Sequence, residues 1–141
     1  MFKKILSTNS NPANAFLRIA LAISILPNGY LKIIDFNNII GILQSYYGLP
    51  WIIAFLVIII EFFGAILLIL GVFSRVNAAL LGIVMIGATF YHLENGFFIN
   101  WFGKQAGEGV QFHILAIGAA MASTILGAGK WSIDAVLQHK F

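Results

Sequence analysis

The sequence predicts an all-α fold, a four-transmembrane-helix bundle with a short interfacial helix between helices 1 and 2, as a single integral membrane domain over residues 1–141. Three observations point there. Of the residues, 60% are hydrophobic and only 9% charged, with mean hydropathy +0.94, too little polarity to clothe a soluble domain. The apolar residues are gathered into runs long enough to cross a hydrocarbon core of about 30 Å at about 1.5 Å per residue. Short polar or aromatic segments separate these runs, with Lys and Arg unevenly shared between the two sides. The net charge of +3 therefore acts as a topology signal, and a nucleic-acid partner is not expected. Zero cysteines exclude disulfides, thiolate metal sites and dithiol relays.

Met1 to Asn14 is polar, carries Lys3 and Lys4, and suits a cytoplasmic tail better than a signal peptide. Helix one is expected over 13–34, with Arg18, Ala22, Ile25, Gly29 and Lys32 along one face. Pro27 predicts a kink near its outer third, beside Asn28 and Gly29. Residues 35–48 are too short and polar to span. Phe36, Ile39, Ile40 and Leu43 recur at helical spacing opposite Asn37, Asn38 and Gln44, which suits a helix lying in the interface. The most apolar stretch, 49–73, is the central span, and it carries one carboxyl, Glu61, near its middle. A charge facing lipid there costs at least about 2.5–3.5 kcal/mol, so Glu61 should face other helices, on the same side as Ala54, Gly64 and Gly71.

A tight turn at Ser74 and Arg75 leads into helix three, 76–92, where Ala78 and Gly82 form a small-xxx-small pair. The loop 94–108 mixes Phe97, Phe98, Trp101 and Phe102 with several glycines and reads as a structured aromatic lid. Helix four covers 110–126 and stops at Gly127 and Gly129, ahead of an interfacial ending around Trp131. Four spans place both termini on one side. That side holds Lys3, Lys4, Arg18, Arg75, Lys130 and Lys140 against Lys32 and Lys104 on the other, so the termini should be cytoplasmic.

The outer half collects the polar side chains that can bind something small. Arg18 is read either as a snorkelling cation or as the partner of Glu61, and Lys32 as an interfacial anchor or a ligand contact. Glu61 is the leading functional candidate, since an intramembrane carboxyl is costly to keep. His92 and His113 are expected at the outer ends of helices three and four. Their ordinary reading is hydrogen bonding at the interface. A carboxylate–histidine metal site with Glu94 and Glu108 lacks ExxH or HExxH spacing, and bis-histidine haem ligation needs both imidazoles facing one cavity, so no metal is assigned. Between these lies a ligand pocket in which an imidazole bonds a quinone carbonyl and aromatic side chains cover the ring.

LRIAL at 17–21, LPNGYLK at 26–32, GLP at 48–50, EFFGAILLILG at 61–71, SRVNAALLGIVM at 74–85, His92 with NGFF at 95–98, and GAGKWSIDA at 127–135 occur in an order that resembles the DoxX family of small four-helix bacterial membrane proteins. The resemblance spans most of the chain. It implies a place in the inner membrane and an association with quinone-coupled oxidoreductases, thiosulfate:quinone oxidoreductase membrane subunits among them, and with resistance to quinone or oxidative stress. The family pattern carries onto Arg18, Gly29, Lys32, Glu61, Gly64, Arg75 and His92, whereas Asn28 stands where relatives often have His. The expected protein is a membrane subunit or quinone-binding component of such a system, with Glu61, Arg18, Asn28, Lys32, His92, Trp101 and His113 as ligand-binding candidates. Its expected partners are the bilayer, quinone, a soluble or membrane redox protein, and a second copy of the chain. The alternative is a non-enzymatic transport or assembly factor holding a small solute or partner helix.

Overall fold

A computed structural model describes residues 6–138, and within them there are helices and no strands. The helices are α1 (Pro12–Ile34), α2 (Phe36–Ser45), α3 (Trp51–Ile59), a π-helical segment (Ile60–Gly64), α4 (Ala65–Leu70), α5 (Ser74–His92), α6 (Gln111–Leu126) and α7 (Ile133–Gln138). Three stretches are long and apolar enough to cross a membrane: Pro12–Ile34, Trp51–Leu70, which joins α3, the π segment and α4, and Ser74–Asn95, in which α5 extends by one 3-10 turn. A shorter apolar helix, α6, follows.

Local chemistry sets the ends of these elements. Asn11 caps α1 through its side chain, which accepts from Ala13 N–H, and Pro12 occupies the first turn, where a missing amide donor costs nothing. The helix runs on through Pro27, whose ring leaves the Ile23 carbonyl without its usual amide donor. The central span stops at Leu70, three residues before the end of its apolar run. Gly71 adopts φ 71°, and Val72 N–H returns to the Leu67 carbonyl at 2.9 Å, a Schellman ending that a side chain at 71 would disfavour.

The helices form a ring in which α1 packs on the π segment, α4 and α6, and α5 packs on those same three from the opposite side. Leu21, Ala22 and Ile25 of α1 meet Ala65, Leu68, Ala78, Leu81, Met85, Ala116 and Ala120 in the main core. The alanines permit close approach, and a Cβ at Gly82 would stand 3.1 Å from that of Ala120. Helix α2 is held beside α3 by a second cluster of Ile40, Ala54 and Ile58.

The far end of the bundle is closed by α7 and its lead-in, which the sequence reading treated only as an interfacial ending. Asp134 is buried, and its carboxylate accepts from Phe73 and Ser74 N–H, both at 2.8 Å, so it caps α5 from another part of the chain. Arg18 lies beneath it, fully buried, donating to the carbonyls of Leu68, Ile69, Ala128 and Trp131. Arg75 treats α6 in the same way, through the Thr124 and Ile125 carbonyls and Ser7. Each arginine thus satisfies carbonyls that a helix end leaves orphaned.

Candidate functional site

The site begins with a backbone contact. Gly29 of α1 faces the π segment so closely that a Cβ there would lie 2.6 Å from the Glu61 carbonyl carbon and 2.7 Å from both the Glu61 oxygen and the Phe62 nitrogen. Lys32 stands three residues further on the same face, one turn outward, where its stem reaches the carboxyl that the contact places nearby. Lys32 Nζ donates to Glu61 Oε2 at 2.5 Å, and the Glu61 side chain is 4% exposed against 27% for Lys32. Glu61 therefore turns into the bundle, as its cost in lipid requires. Its partner differs from the one considered in the sequence: Arg18 makes no bond to Glu61, because four carbonyls at the end of α4 and in the 128–131 segment take its donors.

Glu61 sits in the five-residue π segment. A π turn adds a residue to the helix and changes the direction in which the following side chains point, and such bulges concentrate at functional positions.

A cavity of about 950 Å³ opens beside the ion pair, and Asn28, Lys32, Glu61, His92 and His113 all line it. Most of the remaining wall is aliphatic, from α2, α3 and α5. Its rim includes Leu31, Ile42, Ile53, Leu56 and Ile83, which are 41–64% exposed, so the opening lies on the helical flank of the bundle.

The two imidazoles are stacked, with ring centroids 4.7 Å apart and planes 28° from parallel. His92 Nδ1 lies 3.1 Å from the Glu108 carbonyl, which also accepts from Asn95 at 3.1 Å. His113 is buried at 7% exposure, and its Nδ1 has no hydrogen-bond partner among the described residues. This stacking leaves no room for a haem iron between the rings. The carboxylate–histidine metal arrangement is not assembled either, since Glu108 Oε2 accepts from Asn100 N–H and no three acidic or imidazole groups converge among the described residues.

Two sequence candidates lie elsewhere. Arg18 belongs to the closure at the far end, and Trp101 is 75% exposed and does not line the cavity. The loop 94–108 is structured as expected: Val110 and Gln111 N–H donate to the Gly96 and Phe97 carbonyls, and the Asn100 side chain bonds Gln105 in both directions. The tight return brings Gly109 against the Phe98 backbone, and Phe97, Phe98, Trp101 and Phe102 end up 51–86% exposed. From this loop Ile99 and Glu108 face the cavity. Tyr47 and Tyr91, in edge contact at 4.8 Å between centroids, supply aromatic wall.

Fold and site together define a small helical membrane protein with a largely apolar cavity, open on its flank, that carries two imidazoles and an ion pair whose carboxylate is buried. Residues 13–94, more than half of the chain, match DoxX, and the chain belongs to the DoxX family. The matched stretch contains Asn28, Gly29, Lys32, Glu61 and His92, whereas Trp101 and His113 lie beyond it. No curated protein and no solved structure matches the chain.

Proposed function

We propose that this protein is a four-span protein of the bacterial inner membrane, with cytoplasmic termini and α2 in the outer interface, that binds a quinone as the membrane component of a quinone-linked oxidoreductase system. The observation that carries the reading is the convergence of Lys32, Glu61, His92 and His113 on one otherwise aliphatic cavity. Apolar walls accept a ring, while a few placed donors fix its carbonyls. Glu61 orients Lys32 through the ion pair, and Lys32 Nζ and one imidazole donate to the carbonyl oxygens. The fourth span is α6, 16 residues or about 24 Å long, held in the bilayer by its packing on α5.

A photoreactive benzoquinone added to the purified protein in detergent tests this. Capture is expected on α1, the π segment and α6, with competition by excess unlabelled quinone. His113→Ala and Glu61→Gln should weaken capture roughly tenfold, the cost of a hydrogen bond to or from a charged or buried group. Trp101→Ala should change it by less than twofold. Label found only at the opposite end, or capture without competition, removes the quinone reading, and stabilisation by a small solute or partner helix then favours a transport or assembly factor.

A further inference from the structure

At roughly 30 Å³ for each water-sized group, a substituted ring of about ten heavy atoms takes roughly a third of a cavity of about 950 Å³. The polar side chains gather at one part of this cavity. The remainder runs between α2 and α3 past Ile39, Ile42, Leu43, Ile53, Leu56 and Val57, none of which offers a hydrogen bond. This wall is built rather than loose. Ile40 is buried against Ala54 and Ile58, Phe36 sits edge-on to Phe55 at 6.1 Å, and Leu49 N–H donates to the Leu43 carbonyl at 3.0 Å. The groove reaches the surface at Ile42, Ile53 and Leu56, 41–43% exposed and part of the cavity's rim, where a chain leaving the cavity meets lipid.

We propose that the α2–α3 groove holds the first units of an isoprenoid tail, so that the protein selects prenylated quinones over bare rings; this rests on the quinone reading above. The groove is continuous with the polar end, so head and tail of one molecule occupy both. Branched aliphatic walls match a methyl-branched chain, and since lipid solvates the tail about as well as the groove does, the gain comes from packing against a preformed wall. Helix α2 is then a specificity element rather than a spacer between spans.

The probes are a tritiated tail-less dimethoxy-methyl-benzoquinone and its diprenyl homologue, titrated into the purified full chain in detergent, with each constant corrected for partition into protein-free micelles. The diprenyl compound should bind at least tenfold more tightly. Ile42→Trp and Ile53→Trp, each at a half-exposed position that tolerates bulk, should reduce this advantage, read as the ratio of the two constants within each variant, to less than threefold. Equal binding of the two probes, or an advantage unchanged in both variants, overturns the tail groove and leaves the head site standing. Absence of binding by either probe overturns both. Excess dioleoylphosphatidylcholine separates a general acyl-chain groove from a prenyl one: loss of the tail advantage under that lipid overturns prenyl selectivity, and its persistence supports it.

Discussion

Gly29 decides where the charges of the cavity go. Its missing Cβ lets α1 touch the Glu61 backbone, and the three-residue step to Lys32 then delivers an ammonium to the carboxyl. Gly29→Ala must push the helices apart at backbone atoms that cannot rotate away. Overpacking of this kind costs about 1–3 kcal/mol, so a lowered thermal midpoint in detergent is expected; an unchanged midpoint would show that the contact is looser than 2.6 Å implies. A double-mutant cycle addresses the ion pair. Lys32→Met and Glu61→Gln should each destabilise and couple by at least about 1 kcal/mol, while Arg18→Met and Glu61→Gln should be additive within about 0.5 kcal/mol. The inward turn of Glu61 was legible in the sequence, because hydrocarbon admits no other. Its partner was not: spacing put Arg18 and Lys32 on the same stripe, and depth alone left Arg18 within reach. What excluded Arg18 was a set of carbonyls at the end of α4, which carry no sequence signature.

The elements themselves were the most legible feature. Helix one was expected over 13–34 and runs Pro12–Ile34, and helix four was expected over 110–126 and runs Gln111–Leu126, since Pro, Gly and Asn punctuate both. The π segment was invisible because an apolar run reads the same in α and π registers. The role of 127–135 was also hidden, because Asp134 acts on α5 sixty residues away. That long-range cap carries its own prediction. Asp134→Ala strips acceptors from the first amides of α5 and should cost about 1–2 kcal/mol, as a lost N-cap does. Asp134→Asn should recover part of that loss by keeping one acceptor oxygen. Faster proteolysis of the Gly71–Arg75 turn in Asp134→Ala, with α2 protected as before, is the measurement that places the effect at the helix start. Equal cleavage in all three proteins would mean that the cap does not hold the turn.

At the scale of the whole molecule the two ends of the bundle do different work. One end is sealed: Arg18, Arg75 and Asp134 spend their charges on helix termini, and glycines at 71, 127 and 129 let the connecting segments close over them. The other end is open, with a cavity, a half-exposed lysine and an aromatic loop whose rings point outward. Exposed Trp101, beside Phe97, Phe98 and Phe102, suits a headgroup boundary, where an amphipathic indole is favoured. Among the described residues the sealed end holds Arg18, Arg75 and Lys130, near Trp131, against Lys32 and Lys104 elsewhere, and Lys3, Lys4 and Lys140 lie outside the described residues. Under the proposed topology, positive charge retained on the cytoplasmic side puts the sealed end inside and the cavity in the outer half of the bilayer. Cysteine introduced at Ser10, beside the sealed end, should resist a membrane-impermeant maleimide in intact cells and react after permeabilisation. Cysteine at Gln105, exposed in the aromatic loop, should react in intact cells. Since the chain has no native cysteine, each signal reports one position alone. Labelling of both from outside would require an even number of crossings between positions 10 and 105 and remove one of the three spans that precede the loop, whereas the inverse pattern would keep those three crossings and turn the cavity to the cytoplasm.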